Sequence, residues 1–356
     1  MQILKFAFYL LLTFFLMGIL IFVHELGHYL TARACKVTIH EFAIGMGKRI
    51  AGFTSKKTGI KYSFRLFPIG GYVAMAGEDE GGDGTDDPNA FHKKNVYQKM
   101  LILVAGAGMN VIAGFLAMLI LTTGMTLSGY KMPSTQIGEF EEAASSYASG
   151  LELGDVVLSV DGTRVHTGYD LSYEIMNCGY EPVDVVVLRE GKKILVPDVI
   201  FPTGESEGVV FGGMDFRVVA LDNTVGNVFK VTLFRSTSAI KMAFDSIGGI
   251  ISGRYSLTSM SGPIGVSSAV SEVASQPMAV WNILYLFALI AMNLGVMNLL
   301  PIPALDGGRL FFRIIEVLRF GKPIKPSVEA RIHGMGMALL LLFTAVIALK
   351  DIFVML

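Results

Sequence analysis

The chain has 356 residues, 52% of them hydrophobic and only 17% charged, with a mean hydropathy of +0.56. Soluble domains carry about a quarter charged residues, so this composition belongs to a membrane protein. A formal net charge of −1, with no basic block or aromatic stacking array, excludes a general nucleic-acid binder. Two cysteines are too few for a disulfide scaffold or a cysteine-based zinc site.

Four stretches are long and apolar enough to fill a hydrocarbon core: residues 5–30, 100–127, 280–300 and 335–349. The first carries no charge from Phe6 to Val23 and closes on His24-Glu25-Leu26-Gly27-His28. A secretory signal peptide cleaved near Ala32-Arg33-Ala34 is the rival reading, but the run is too long and cleavage would discard the motif. On a helix, positions i and i+4 lie about 40° apart, so His24 and His28 share a face and can reach one ion, with Glu25 one step round. H-E-x-x-H is a zinc pattern in which the two His are ligands and the Glu is the general base. Ionisable groups at membrane depth are costly and therefore tend to be functional. The second stretch is rich in Gly106, Gly108, Ala113, Gly114 and Ala117, which allow close helix packing.

Between these two stretches, Lys61 to Phe67 alternates polar and apolar with period two, the mark of a half-buried strand. Pro68-Ile69-Gly70-Gly71-Tyr72-Val73-Ala74-Met75 then places paired glycines before a second apolar strand, predicting a hairpin. The hairpin either holds an extended peptide by main-chain hydrogen bonds or simply covers the helix ends. The acidic, glycine-bearing stretch from Glu78 to Asp87 lacks the spacing and terminal Glu of a calcium loop.

Positively charged loops face the cytoplasm. Residues 31–99 hold 11 Lys/Arg against 7 Asp/Glu and residues 301–333 hold 6 against 3, whereas residues 128–275 hold 10 against 18. Four spans then put both basic loops inside, and the acidic segment and both termini outside. In that segment, Ala148-Ser149-Gly150-Leu151-Glu152-Leu153-Gly154-Asp155 leads into an apolar strand closed by Asp161-Gly162. The A-G-L-x-x-G-D turn resembles the PDZ domains of bacterial envelope proteases, seen here in one copy. Residues 225–251 form an amphipathic helix that lies on the outer membrane face or packs against the PDZ-like domain. The domains are thus 1–99 (first span and β-region), 100–127 (second span), 128–203 (PDZ-like), 204–275 (post-PDZ segment) and 276–356 (third and fourth spans).

Catalytic zinc takes three protein ligands and an open position. The remaining histidines, His40, His92, His166 and His333, fall in loops, across the membrane or ahead of the last span. Asp306 is the better third ligand. It lies in Asn298-Leu299-Leu300-Pro301-Ile302-Pro303-Ala304-Leu305-Asp306-Gly307-Gly308, where two prolines break an apolar helix. Irregular backbone at membrane depth occurs where it is buried in protein or lines a cavity. Asp306 could otherwise simply cap the helix that follows.

H-E-L-G-H, P-I-G-G-Y-V, the PDZ-like insert, S-G-P-I-G and N-L-L-P-I-P-A-L-D-G-G occur in this order along the chain. The set resembles the site-2 protease family (peptidase M50B) of intramembrane zinc metalloproteases, in its bacterial RseP-type branch with four spans. The resemblance implies a polytopic α-helical protein of the bacterial inner membrane with a cytoplasmic membrane-associated β-hairpin or sheet. It places the active site towards the cytoplasmic side and the PDZ-like α+β domain outside, in the periplasm where there is one. It implies Zn2+ on His24, His28 and Asp306, and Glu25 as catalytic acid/base. Asn298, Pro301 and Pro303, with Gly70, Gly71 and Tyr72, would hold the substrate strand. The implied activity is that of a zinc metalloendopeptidase acting in regulated intramembrane proteolysis. Its partners are the lipid bilayer and single-span membrane proteins such as anti-sigma factors and remnant signal peptides, with no nucleic acid. One departure is Ala107, where relatives commonly have Pro after Ala-Gly. An intramembrane metal transporter would show inverted repeats, which are absent from the sequence, and a membrane-anchored PDZ adaptor would have no use for Glu25.

Overall fold

The computed structural model describes residues 2–78, 86–206, 208–256 and 261–355. Its chain divides into two compact units, one formed by residues 1–114 and 260–356 and the other by residues 115–259. The acidic stretch 79–85, with its comparison to a calcium loop, lies outside the described residues.

In the first unit, α1 (Gln2–Ala34) leads into β1 (Ile39–Thr54), β2 (Lys61–Met75) and the start of α2 (Val96–Leu127), a helix that runs past the boundary at residue 114. The apolar runs of α1 and α2 make them long and apolar enough to cross a membrane, over Ala7–Ala34 and Val96–Leu127. Glycine brings the two helices together: a Cβ on Gly27 would lie 2.3 Å from the Ala105 carbonyl oxygen. Ala107 sits in unbroken helix, so the absent proline leaves α2 continuous.

The expected hairpin needs correction. Residues 61–67 and 71–75 are both extended, but they are parts of one strand and do not pair with each other. Residues 41–44 lie between them, Ile44 pairing with Gly71 on one side and Phe64 on the other, while residues 51–54 flank 61–64 on its far side. The actual turn is Ser55 to Ile60, closed by Ser55 N–H to Ile60 O and Gly59 N–H to Ser55 O. The reason is local. Gly45, Gly47 and Gly70 take φ near +80°, a conformation that side chains disfavour, and curl each long strand back over the other. The curled sheet buries Ile39, Phe42, Val73 and Met75 against Tyr29 of α1 and Ile102 of α2.

The second unit is built on a six-stranded sheet. Its elements are β3 (Pro133–Phe140), α3 (Ser145–Ala148), β4 (Val156–Val160), β5 (Thr163–Arg164), α4 (Gly168–Cys178), β6 (Val183–Arg189) and β7 (Lys192–Val199). A separate hairpin of β8 (Thr203–Ser206) and β9 (Val209–Gly212) follows, and then β10 (Phe216–Ala220) returns to the sheet. The order is β10-β3-β4-β6-β7, with β5 on β4. The edge strand β10 therefore comes from beyond residue 203, where the sequence reading ended the small domain. Leu171 and Ile175 of α4 pack on Val157, Val160, Val185 and Val187. Thr167 and Asp170 start α4 with a capping box. In the A-G-L-x-x-G-D turn, Gly150 and Gly154 supply the positive φ, and buried Asp155 accepts from Arg189 Nε and Nη2, both at 2.8 Å.

Helix α5 (Val225–Ile251) has the bounds its pattern predicts. It packs on α4, the second of the two sequence readings: Lys241 Nζ reaches Glu174 and Asp245, and the His166 ring stacks on Phe234 at 3.7 Å. Burial raises the pKa of the Glu174 carboxyl, and Lys241 pulls it back.

Back in the first unit come α6 (Pro263–Ser275), α7 (Ala279–Leu299), α8 (Asp306–Leu318) and α9 (Pro326–Met355). The S-G-P-I-G segment starts α6, where Asp351 of α9 accepts from Gly262 N–H at 2.9 Å and Gly265 N–H at 3.0 Å. A Cβ on Gly262 would approach that carboxylate and Ile347 Cγ2 to 3.0 Å, and one on Gly265 would press on Ser261 Cβ at 2.7 Å. Helix α7 and Ser327–Asp351 within α9 are also long and apolar enough to span a membrane.

Candidate metal centre

Helix α1 carries His24, Glu25 and His28 at helical spacing, so both imidazoles leave one face. The third group arrives from 278 residues away. Helix α7 ends at Leu299, the chain crosses Pro301 to Leu305 without regular structure, and α8 begins at Asp306. Two glycines allow this tight return, since a Cβ on Gly307 would lie 2.1 Å from Leu300 O and one on Gly308 would lie 2.4 Å from Ile302 O.

Three donor atoms converge. His24 Nε2 lies 3.0 Å from Asp306 Oδ2, His28 Nε2 lies 3.2 Å from the same oxygen, and the two Nε2 atoms are 3.2 Å apart. His28 Nδ1–H donates to Ile102 O at 2.8 Å, which leaves the Nε2 lone pair facing the carboxylate. Lone pairs so close repel one another unless a cation lies among them. Tetrahedral zinc with ligands at about 2.0–2.1 Å holds them about 3.3 Å apart, which matches this spacing. Space is kept open by Gly106 of α2, where a Cβ would fall 2.3 Å from His28 Nε2 and 2.8 Å from His24 Nε2. The residues present fit a zinc ion.

Glu25 is half-buried, and no described residue hydrogen-bonds its carboxylate. The sheet reaches it at Gly71, where a Cβ would lie 2.8 Å from Glu25 Cγ. Residues 71–75 pair only with 39–44 among the described residues, so their other edge is open. Gly70 packs beside Met46. Tyr72 points into the sheet's own polar cluster, donating to Glu41 at 3.0 Å beneath Arg65. In that cluster, hydrogen bonds from Ser63, Arg65 and Tyr72 outweigh burial and hold the Glu41 carboxyl below its ordinary pKa.

Of the residues at the helix break, Asn298 places its amide 3.4 Å from His24 Nδ1. Pro301 is exposed, and Pro303 is covered by Gly336 of α9, where a Cβ would meet it at 2.4 Å. Two further residues were not among the sequence candidates. Asn110 lies wholly buried on α2 with its amide 3.4 Å from His24 Nδ1. His333 falls inside α9 rather than ahead of the last span, and its Nδ1 accepts from Ala304 N–H at 3.0 Å. Asn110 lies in the second apolar stretch, two residues after Gly108, but no spacing rule ties that stretch to the histidines.

The model of peptidase family M50 matches residues 12–343. A Fusobacterium nucleatum protein named as a candidate zinc metalloprotease is 33% identical over 95% of this chain and 96% of its own. The zinc metalloprotease RasP of Geobacillus kaustophilus is 28% identical over 94% of this chain and 95% of its own. The regulator of sigma-W protease RasP of Bacillus subtilis is 27% identical over 94% and 96%.

Proposed function

The chain belongs to peptidase family M50 and is a zinc metalloprotease; on that premise we propose that it hydrolyses peptide bonds within or beside the transmembrane segment of single-span membrane proteins. His24, His28 and Asp306 hold the zinc, and Glu25 is the general acid/base. The observation that carries this reading is the convergence of three donor atoms within 3.2 Å at the end of an apolar helix, with Glu25 beside them. Zinc bound there supplies Lewis-acid chemistry, polarising a carbonyl and making water more acidic. Glu25 takes the proton of the attacking water and returns it to the leaving amine.

A transmembrane helix keeps its carbonyls in internal hydrogen bonds, so the scissile segment must be extended before attack. The open edge of residues 71–75 offers main-chain partners for an added strand, and Gly71 lets that strand approach Glu25. Asn298, whose amide lies 3.4 Å from His24 Nδ1, and exposed Pro301 would help hold that strand from the helix break. The substrates are anti-sigma factors, which the name of the Bacillus subtilis relative supports, and remnant signal peptides, which rest on the family resemblance alone. The small β-domain of the second unit is PDZ-like. The Lys/Arg asymmetry supports a position outside the cytoplasmic membrane for this domain and towards the cytoplasm for the zinc site.

Metal analysis beside a cleavage assay tests the reading. Wild type should carry about one zinc per chain. His24→Ala and Asp306→Asn should each lose most of it, and Glu25→Gln should keep zinc and lose cleavage. Wild-type cleavage by Glu25→Gln would remove the catalytic assignment.

A further inference from the structure

We propose that Asn110 is a positioning residue for His24: its side-chain amide oxygen accepts a hydrogen bond from Nδ1–H and so aims Nε2 at the point where His28 and Asp306 converge. The inference rests on the reading that His24 is a zinc ligand through Nε2. An imidazole that gives its Nε2 lone pair to a metal keeps its proton on Nδ1, and that proton needs an acceptor. For His28 the acceptor is the carbonyl of Ile102 at 2.8 Å.

Around His24 Nδ1 two amides compete, from Asn110 and from Asn298, each 3.4 Å away through Nδ2. Asn110 is the better placed to serve. It is 0% exposed, and its Oδ1 is buried with no hydrogen-bond partner. A buried amide oxygen without a donor is costly, as is a ring N–H without an acceptor. A half-turn of the amide exchanges Oδ1 and Nδ2 within one envelope and sets the oxygen against the ring proton. Asn298 is only half-buried, at the helix break, where its amide is free to meet substrate.

The geometry of α2 supports the assignment. Ile102, Gly106 and Asn110 follow one another at intervals of four, which puts them on one face of the helix. Gly106 leaves room for the two Nε2 atoms, the Ile102 carbonyl holds one ring, and Asn110 holds the other. One face of α2 thus orients both histidines of α1.

The test measures zinc affinity by chelator competition on the purified full-length chain, which separates positioning from turnover. Asn110→Leu keeps the branched shape and removes the acceptor, and should weaken zinc binding by about 10–100-fold. Asn110→Asp restores an acceptor and should stay within a few-fold of wild type. A role in packing alone predicts the opposite order, with Leu tolerated and a buried carboxylate harmful. Wild-type affinity in Asn110→Leu would overturn the proposal. So would weaker binding by Asn110→Asp than by Asn110→Leu, or a loss seen in Asn298→Leu and not at Asn110. If Asn110→Leu does not fold, Asn110→Ala carries the same expectation. His24→Ala is the control. If it keeps zinc, the ligand reading itself fails. If it loses zinc while Asn110→Leu does not, only the role of Asn110 fails.

Discussion

A methyl group at Gly106 would lie 2.3 Å from His28 Nε2, inside the space a metal ion needs, whereas one at Gly71 would press on Glu25 Cγ at 2.8 Å and leave the histidines alone. The two positions therefore separate binding from catalysis. Gly106→Ala should lower bound zinc several-fold, and cleavage with it. Gly71→Ala should keep zinc and lower cleavage by displacing the carboxylate. Zinc content and initial rate, measured on the same preparations, check both. Equal zinc in Gly106→Ala and wild type would show that the metal lies elsewhere. At this scale the sequence was most legible for His24, Glu25 and His28, because helical spacing alone brings them together. Asp306 was legible only in company: a carboxylate at that break could equally cap the next helix, and it is the His-Glu motif lacking a third ligand that singles it out. Asn110 and His333 were not, since each meets the site through a tertiary contact that no local spacing encodes.

Between α7 and α8 the irregular residues 300–305 are held chiefly from α9. Ala304 has φ +82°, uncommon for a residue with a Cβ, and His333 accepts its N–H while Gly336 packs on Pro303. His333→Ala would leave that N–H unpaired, at a cost of about 1–3 kcal/mol if it stays buried. Asp306 is two residues further on, so zinc affinity and cleavage should both fall, while the melting of the second unit stays unchanged. Unaltered zinc affinity in His333→Ala would remove α9 from the support of the site. The role of α9 was hidden because hydropathy detects only its apolar part. Its first turns carry Glu329 and Arg331, and Glu329 pairs with Arg313 of α8, so the helix starts at Pro326, well before the apolar run. The strands of the first unit failed differently. Period-two alternation marks which residues are extended but not which neighbours they take, and the glycines that curl β1 and β2 set a pairing that a simple hairpin does not contain.

Across the whole chain, the four apolar helices and the charge asymmetry make two predictions about arrangement. With Cys35 and Cys178 replaced, a cysteine near Lys57 should label only from the cytoplasmic side and one near Glu190 only from outside. The reverse pattern would put the zinc site at the other leaflet. The second concerns the β-domain of the second unit, which, standing outside as proposed, would act on access rather than on chemistry. A deletion ending at residue 203 would strip β10 of its partner β3 and leave Phe216, Val231 and Ala243 with apolar faces uncovered, so it would test misfolding. Exchanging residues 129–253 for a flexible linker removes the sheet together with α5. If the domain excludes bulky ectodomains, this variant should cleave untrimmed substrates and treat short ones as wild type does. If it captures a newly made C-terminus, trimmed substrates should slow and long ones stay resistant. The exclusion role is favoured by the segment leading into edge strand β10, whose polar groups are already engaged. Gly213 N–H donates to Pro202 O at 2.6 Å, and the Asp215 carboxylate takes Ser146 N–H at 3.0 Å and the Ser145 hydroxyl at 3.1 Å. A second carboxylate arriving there would meet a negative charge and spent donors. Long substrates that stay uncleaved by the linker variant, while it processes short ones normally, would refute exclusion.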